Sequence, residues 1–342
     1  MLSICIATRN RAGFIGMTLE SIVPQMTEET EIVIVDGAST DSTEEVVRRF
    51  EPRCPELRYV RRDVNGGVDR DFSTAVELAR GEYVWLASDD DLLKPGAVAT
   101  LLTHLRVGYA LLIVNAETRT ADLSRILEAR RLAVDSDRVY GPDESQRLFT
   151  DTANYLSFIG CVVMKRQVWI EREKEPYFGT EFVHVGIIFQ RRLSGSTRVI
   201  AAPWIVIRYG NAFWRSKAFQ VWMFDWPRLI WSFADYPESA KDQVFPKEPW
   251  REVRTLLLYR ARGAYSLAEY RRWLAERLDS EWNRLVARMI AMLPGTGVNL
   301  LLVVYYRWCR RGARLQLYSL STSRFHYSHW LDSRSRRDAY QG

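Results

Sequence analysis

The feature that most constrains the fold is a regular alternation in roughly the first hundred residues, where short apolar runs are followed by polar loops and helical patterns. The apolar runs are "LSICIAT", "EIVIVD", "LRYVRRD" and "EYVWLAS". Segments between or after them, such as "FIGMTLESIVPQM" and "PGAVATLLTHL", have the apolar spacing of helices. Because strands that alternate with helices form a largely parallel sheet, we predict an α/β fold.

Charge and composition divide the chain into two regions. Residues 1–203 carry 25 Lys and Arg against 30 Asp and Glu, whereas residues 204–342 carry 23 against 12 and hold ten of the twelve tryptophans. Further strands are predicted at 110–119 and 158–169, a loop and helix over 120–150, and amphipathic helices from about residue 212. We predict an α/β domain over residues 1–210 and a basic, Trp-rich helical region over 211–342.

Four scattered cysteines, with no CxxC or Cys/His spacing, argue against a zinc site. Free thiols fit a reducing compartment, and we expect no signal peptide at the N-terminus. The longest strongly apolar run, 298–306, is shorter than the roughly 20 residues of a membrane-spanning helix. These features predict a cytoplasmic location.

A run of three aspartates, Asp89 to Asp91, directly follows the fourth predicted strand. Like charges this close repel one another, and buried carboxylates are costly unless a cation neutralises them. Ligand crevices of α/β sheets lie at the carboxyl ends of the strands, so a hard cation such as Mg²⁺ or Mn²⁺ that bridges a diphosphate is one interpretation. A solvated acidic turn that caps the next helix is the other.

Three more polar clusters lie at predicted strand ends or helix starts. Asp36 ends the second strand, where it could hydrogen-bond a ribose or base, or only form a turn. Thr8, Arg9 and Asn10 end the first strand and could contact a base or phosphate. Arg70, in the Gly-rich "NGGVDRD", could bind a diphosphate or pair with a neighbouring aspartate. The absence of GxxxxGK[ST] and GxGxxG argues against a P-loop and a dinucleotide-binding domain.

Taken together, "SICIATRNRAGFI", "EIVIVDGASTDST" and "NGGVDRDFSTAVELARGEYVWLASDDDLLKP" resemble the family 2 glycosyltransferases, which have the GT-A fold. The resemblance covers residues 1–105 well and 106–210 loosely. It implies binding of a nucleoside diphosphate sugar, with the first-strand residues and Asp36 on the nucleoside. The implied nucleotide-sugar set is Thr8, Arg9, Asn10, Asp36, Arg70, Asp71, Asp89 and Asp90.

The family's D-x-D motif, which binds a metal and the diphosphate, corresponds to Asp89 and Asp91. Many members read D-x-D-D, whose first aspartate falls at Ala87, so the metal pair is either Asp89 with Asp91 or Asp89 with Asp90. We favour Asp91 as the main ligand of Mn²⁺ or Mg²⁺ and Asp89 as a ribose or metal contact.

The family's catalytic base usually lies in a late "ED" motif, and "GTEFVHVG" occupies that region here without it. Glu181 or His184 must then deprotonate the acceptor hydroxyl, as an inverting displacement requires. His184 could instead ligate the metal. Its valine neighbours equally suit a histidine buried in the core.

"SDDD", "NYLSFIGCVVMKRQVW" and "GTEFVHVG" most resemble the abequosyltransferase group of O-antigen enzymes. The resemblance implies a CDP- or UDP-sugar donor, a lipid-linked glycan acceptor of lipopolysaccharide biosynthesis, and inversion at the anomeric carbon. We also weigh a non-catalytic, membrane-peripheral scaffold with a relic sugar-nucleotide site, and a nucleotidyltransferase. The poor match of "ATRNRAG" to a Gly-rich, basic loop argues against the latter.

The basic C-terminal region combines Trp, Tyr and Arg on helical patterns, which suits docking at the inner face of the cell membrane. Arg307, Arg310, Arg311 and Arg314 follow the apolar run at 298–306. An ordinary helical bundle is the alternative. The positive charge could also suit nucleic-acid binding, but no recognised motif supports it, so we predict no nucleic-acid partner.

Overall fold

The computed structural model describes residues 1–211, 217–310 and 312–328. The chain divides into two compact units. The first, here the sheet unit, comprises Met1–Arg208 and Leu229–Phe245, and the second, the helical unit, comprises Tyr209–Arg228 and the residues from Pro246 onward. Residues 229–245, which the sequence prediction assigned to the C-terminal region, therefore pack with the sheet unit.

The sheet unit is built on one mixed sheet, in the order β3-β2-β1-β4-β9-β6-β10-β5, with β7 added beside β6 and β8 beside β10. Its strands are β1 Leu2–Thr8, β2 Thr30–Asp36, β3 Leu57–Arg61, β4 Tyr83–Ala87, β5 Leu92–Leu93, β6 Leu111–Arg119, β7 Ile126–Glu128, β8 Arg138–Tyr140, β9 Val162–Lys165 and β10 Thr197–Arg208.

The four strands predicted in the first hundred residues pair in parallel. Strand β1 lies between β2 and β4 and is parallel to both, and β3 is parallel to β2. Every residue of β1 and β2 is buried, as expected for strands covered by helices on both faces. The α/β fold predicted from the sequence is confirmed.

The helices of the chain follow the strands in the first half and dominate the second. They are α1 Ile15–Ile22, α2 Thr43–Arg48, α3 Val68–Leu78, α4 Ala97–Leu105, α5 Ser145–Thr152, α6 Arg166–Ile170, α7 Val183–Phe189, α8 Ala218–Gln220, α9 Trp226–Ser232, α10 Glu238–Val244, α11 Val253–Arg262, α12 Leu267–Glu269, α13 Glu281–Met292, α14 Gly295–Trp308 and α15 Arg314–Ser321.

Several local expectations differ from the structure. The strand predicted at 158–169 is limited to β9, because a 3-10 turn precedes it and α6 follows it. Strand β10, which the sequence analysis does not predict, pairs with β6 through a register shift between Ile200 and Ile205. Gly81 lies directly against β1, since a Cβ there would lie 2.6 Å from Ser3 Oγ.

The helical unit has an aromatic core of its own. Phe219 stacks on Tyr265 with ring centroids 4.9 Å apart, and Phe224 stacks on Trp273 at the same distance. Among the described residues, no single helix combines the length and hydropathy of a membrane span, while α13 and α14 meet that test only as a pair, bent by 94° where they join. Residues 212–216, 329–342 and Arg311, all in the region predicted to be basic and helical, lie outside the described residues.

Candidate active site

The strand ends that carry the predicted polar residues meet at one edge of the sheet. In the parallel register Thr8 lies opposite Asp36, and Ile6 lies opposite Ala87 at the end of β4. The Thr8 carbonyl accepts a hydrogen bond from Gly37 N at 2.9 Å, which joins the two loops directly beyond the strands. The sheet thus brings the first-strand, second-strand and Asp-rich motifs to one crevice.

Asn10 shapes the loops around this crevice. Its φ is +54°, in the left-handed region that asparagine tolerates better than most residues. Its backbone N–H donates to Ser39 Oγ at 2.8 Å, and its side-chain oxygen accepts from Thr40 N at 2.7 Å. Asn10 therefore holds the loop after β2 in place, and only its amide NH₂ remains for a ligand.

Asp36 is fully buried, and both of its carboxylate oxygens have protein partners. Oδ1 accepts from Ser39 N at 2.7 Å, and Oδ2 accepts from the Tyr59 hydroxyl at 2.6 Å. Burial, followed by the bond to Asp36, raises the pKa of Tyr59, so the phenol stays protonated as the donor. These bonds fix the carboxylate at the end of β2.

Asp71 lies against the same loop from helix α3. A Cβ on Gly37 would lie 2.4 Å from Asp71 Oδ2, so only glycine allows this approach. Arg62 contacts Asp71 Oδ1 at 3.3 Å, yet burial raises the pKa of Asp71 to about 6, with a further contribution from Asp36. Arg9 opposes that rise, and its Nε is buried with no hydrogen-bond partner among the described residues. A ligand with an acceptor oxygen would satisfy this donor.

Arg70 does not pair with its aspartate neighbours. Its guanidinium lies 3.3 Å from Glu175 and stacks over the Phe178 ring at 4.4 Å from the centroid. The side chain is about half exposed, so it reaches the rim of the crevice and contacts the loop that leads to Glu181.

Arg11 is the cation that lies against the aspartate run. Its Nε is 3.3 Å from Asp89 Oδ1, and its Nη2 is 2.9 Å from Asp90 Oδ2, with all three side chains almost buried. Ser88 also donates to Asp90 at 2.6 Å. The first loop and the aspartate run are therefore tied together by a buried ion pair.

Arg208, at the end of β10, contacts the aspartate run through backbone and side chain. Its N–H donates to Asp91 Oδ1 at 2.8 Å, and its Nε donates to the Asp90 carbonyl at 3.1 Å. The guanidiniums of Arg208 and Arg11 lie 5.4 and 5.1 Å from the centroid of the Phe14 ring. The aspartates are thus held from two directions.

The protein's own cations do not fully neutralise the aspartate run. Burial, and then the charge of Asp90, raise the pKa of Asp89 to about 7 against the opposing effect of Arg11. Burial and Asp90 also raise the pKa of Asp91 well above its ordinary value. Another positive charge at this point would be favourable.

The oxygen ligands of the aspartate run suit a hard divalent cation. Within the described ranges, no group of three or more His, Cys, Asp or Glu side chains could by itself enclose a metal ion. Mg²⁺ commonly uses only one or two carboxylates, with phosphate oxygens and water as the other ligands. The residues present therefore fit a metal that is held jointly with a diphosphate.

Asp69 organises the segment that carries Glu181. Its carboxylate accepts three backbone N–H groups, from Gly179 at 2.8 Å, Glu181 at 2.9 Å and Val183 at 3.2 Å. Burial raises the pKa of Asp69, and the three N–H groups oppose that rise. Glu181 has φ of +68°, a strained value for a residue with a side chain. The Asp69 carboxylate holds the loop in this conformation.

His184 lies inside the core. It is fully buried in α7, and its Nε2 is 2.7 Å from the Leu156 carbonyl. Since a carbonyl only accepts, Nε2 carries the proton, and Nδ1 has no partner among the described residues. Burial lowers the pKa of His184 to about 4, so the ring is neutral near pH 7. This geometry matches the core alternative rather than the predicted base or metal ligand.

Three site residues escaped the sequence prediction: Arg11, Arg208 and Asp69. Arg11 lies in the quoted "ATRNRAG", and a search for a cation to match the aspartates could have found it. Asp69 lies in "NGGVDRD" but had been considered only as a partner of Arg70. Arg208 carries no local signal, because it is 117 residues from Asp91 in sequence.

Comparison with known proteins identifies the family and the fold. The model of the family described as Glycosyl transferase family 2 matches residues 3–172, about half of the chain. The abequosyltransferase RfbV of Salmonella typhimurium is 30% identical over 200 residues, which are 55% of this chain and 60% of that protein. The GalNAc(5)-diNAcBac-PP-undecaprenol beta-1,3-glucosyltransferase of Campylobacter jejuni is 28% identical over 138 residues, 40% of this chain and 45% of that protein. The chain thus matches less than two thirds of the length of either relative.

A solved structure confirms the fold. The mannosyltransferase PcManGT from Pyrobaculum calidifontis, in complex with GDP-Man and Mn²⁺, superposes with a TM-score of 0.53 at 18% identity. The match covers 94% of this chain and 85% of that one. The family model, the curated relatives and the strand-end motifs agree, and the chain belongs to glycosyltransferase family 2.

Proposed function

We propose that this protein is a metal-dependent, inverting glycosyltransferase that moves a hexose or deoxyhexose from a nucleoside diphosphate sugar to a surface-glycan acceptor. The observation that carries the proposal is the convergence of Thr8, Asp36 and the aspartate run at one edge of the sheet. The crevice offers fixed hydrogen-bond acceptors at one end and a partly neutralised carboxylate cluster at the other.

The donor would lie along this edge. Asp36 and the loop fixed by Asn10 would bind the nucleoside, and the free Nε–H of Arg9 supports a contact with an acceptor oxygen of the nucleotide. Asp91 and Asp89 would hold Mn²⁺ or Mg²⁺. When bound, the metal supplies positive charge that stabilises the departing diphosphate. Arg70, on the rim, would contact the donor by exchanging its pairing with Glu175.

Glu181 is our candidate for the base that removes the proton from the acceptor hydroxyl. Its backbone is held by Asp69 in a strained conformation, a feature that clusters at functional sites. His184 is not retained in this role, because its protonated nitrogen is bound to Leu156 and its ring is fully buried. In a single displacement the deprotonated acceptor oxygen attacks the anomeric carbon, and the carbon–oxygen bond to the diphosphate breaks.

The donor and acceptor are proposed from the relatives. The name of the Salmonella relative supports a deoxyhexose such as abequose. We propose a CDP- or UDP-sugar as its donor. The name of the Campylobacter relative includes a glycan on undecaprenyl diphosphate, which supports a lipid-linked acceptor. Such an acceptor would place the enzyme at the inner face of the cell membrane.

The donor proposal is tested by thermal-shift measurements with CDP-, UDP-, GDP- and dTDP-sugars, with and without Mn²⁺. A ligand that binds only the native state must raise the melting temperature, by an amount that grows with ligand concentration. Stabilisation by one nucleotide class that depends on Mn²⁺ is expected. No shift with any donor at about millimolar concentration would contradict the proposal.

Turnover separates the enzyme from a non-catalytic scaffold with a relic site. The wild-type protein should hydrolyse or transfer the sugar of the stabilising donor in the presence of Mn²⁺, and Asp91→Ala should abolish that turnover. Exposed Asp135→Ala is a matched control that should retain it. Donor binding without any turnover would favour the scaffold, and release of sugar 1-phosphate with transfer of the nucleoside monophosphate would indicate nucleotidyl transfer.

A further inference from the structure

Exposed apolar side chains are concentrated on two consecutive helices of the helical unit. Of the nineteen large hydrophobic side chains that are exposed among the described residues, nine lie between residues 282 and 308. They recur at helical spacing on one side of α13 and one side of α14. Six of them, which we call the α13–α14 stripe, are Trp282, Leu285, Met289, Leu301, Val304 and Trp308.

The opposite sides of both helices are already packed. Ala287 and Ile290 of α13 belong to the buried cluster that includes Leu256 and Tyr259 of α11. Val298 of α14 packs in a second cluster with Ala261, also of α11. The α13–α14 stripe is therefore a second apolar face rather than the face that folds the unit, and single exposed residues at random positions would not form it.

The charge around the stripe is predominantly positive, with Glu281, the first residue of α13, as the one acidic residue of the two helices. From Trp282 to Ser328 the chain contains seven arginines and no lysine, aspartate or glutamate. Among the described residues, Arg284, Arg288 and Arg307 have no carboxylate partner. A surface that combines an apolar stripe with a large excess of arginine is complementary to an apolar phase beneath a negatively charged layer.

The tryptophans mark the limits of the stripe. Trp282 is 67% exposed at the start of α13, and Trp308 is 77% exposed at the end of α14. Indole rings are enriched where an apolar region meets water, because they combine a large apolar body with one N–H donor. From these observations we infer that the α13–α14 stripe docks the helical unit on a bilayer that contains anionic lipid.

This inference deepens the proposed function, since it gives a lipid-linked acceptor a surface at which to meet the enzyme. It concerns the helical unit alone, and its test uses neither donor nor acceptor. A failure of vesicle binding would therefore leave the transferase proposal standing, and absence of turnover would leave the docking inference standing.

The experiment is sedimentation of the purified full chain with phosphatidylcholine vesicles, with and without phosphatidylglycerol. We expect binding to the anionic vesicles that weakens with salt and is at least about tenfold weaker on phosphatidylcholine alone. The triple substitution Trp282→Ser, Leu301→Ser and Trp308→Ser should abolish binding to both vesicle types.

A charge variant and a matched control complete the design. Arg288→Gln with Arg307→Gln should weaken binding to anionic vesicles about twenty-five-fold, from about fivefold per arginine near the surface, and should leave the apolar stripe intact. Val64→Ser with Val107→Ser, which removes two exposed apolar residues from the sheet unit, should change nothing. Circular dichroism and a thermal melt establish that each variant is folded.

Two outcomes would overturn the inference. One is a folded wild-type chain that does not bind anionic vesicles, or a folded triple variant that binds them as well as wild type does. The other is a stable oligomer, detected by analytical ultracentrifugation, that the triple substitution dissociates while no vesicle binding is seen. That result would assign the α13–α14 stripe to a second copy of the chain.

Discussion

Replacing Arg11 by methionine tests whether the aspartate run depends on a cation built into the fold. The Arg11 side chain is 12% exposed and lies 3.3 Å from Asp89 and 2.9 Å from Asp90. At an effective dielectric constant of about 20, a pair of unit charges at about 4 Å interacts by about 4 kcal/mol. Removing one partner of a buried pair typically costs about 3–5 kcal/mol. Because methionine retains an aliphatic chain beside Phe14, we expect the free energy of unfolding to fall by about 3 kcal/mol at about pH 8.

The loss should depend on pH in a definite direction. The folded-state pKa of Asp89 is raised from 3.8 to about 7, so the folded protein holds this proton more tightly than the unfolded chain does. The contribution of Asp89 to stability is therefore greatest at low pH and declines as pH rises towards about 7. Without Arg11 this pKa rises further and the decline continues to higher pH. The effect of the substitution should be clearly smaller near pH 5.5 than near pH 8.

The assay is urea unfolding followed by tryptophan fluorescence at both pH values, with and without Mn²⁺. Because Mn²⁺ would supply positive charge to the same carboxylates, it should stabilise the variant more than the wild type. Arg53→Met is a matched control: Arg53 pairs with Glu20 at 2.6 Å and stacks on Phe50 at 5.4 Å, but its side chain is 49% exposed. That control should cost at most about 1 kcal/mol. A loss from Arg11→Met that is the same at both pH values and unaffected by Mn²⁺ would refute the electrostatic reasoning and leave only packing against Phe14.

Four further predictions concern the base, the buried His184, the residue that supports the base and the loop after β2. In a steady-state assay, Glu181→Gln should lower kcat by about 10²–10⁴-fold and leave donor binding intact. His184→Gln, whose amide can still donate to the Leu156 carbonyl, should retain turnover. The reverse result would make His184 the candidate base. Because the pKa of His184 is lowered to about 4, the wild-type protein should lose stability as pH falls below 6.5, the ordinary pKa of histidine. His184→Gln should lose less stability in acid unfolding. Equal losses would show that another group causes the acid sensitivity. Asp69→Asn should reduce kcat far more than it changes the donor KM, because the amide would present an N–H to the backbone N–H groups that the carboxylate now accepts. A loss of stability with kcat unchanged would show that Asp69 is structural only. Because the pKa of Asp71 is raised to about 6, the free energy of unfolding should fall as pH rises from about 4 to 6. In Asp71→Asn that fall should be smaller by up to about 3 kcal/mol. An unchanged pH dependence of stability would show that Asp71 is not its source.

Much of the sheet unit could be predicted because its signals are local. The runs that became β1, β2 and β4 are continuous and apolar, and each is followed at once by the polar residues of the crevice. Parallel strands point their carboxyl ends to one edge, so Asp36 and Asp89 could be placed together without knowing any contact. The family resemblance rested on the same residues, and the family comparison confirmed it.

The remainder required contacts between distant residues. The short strand β8 pairs with β10, and neither is among the strands that the sequence analysis predicts. Arg208 contacts Asp91 only because β10 ends beside the aspartate run. Residues 229–245 pack with the sheet unit although they lie within the stretch predicted as the C-terminal region.

By itself, the sequence determined the α/β class, the strand ends that carry the chemistry and the family to which the chain belongs. These follow from periodicity and from residue types at fixed local spacing, which do not depend on contacts with distant parts of the chain. Tertiary structure alone decided what neutralises the aspartates and which residue of "GTEFVHVG" lies in the core. Arg11 and Arg208 reach the aspartate run, Asp69 holds the loop of Glu181, and His184 binds Leu156. Charge neutralisation and burial act through space, so residues far apart in sequence set them, and only the folded chain brings those residues together.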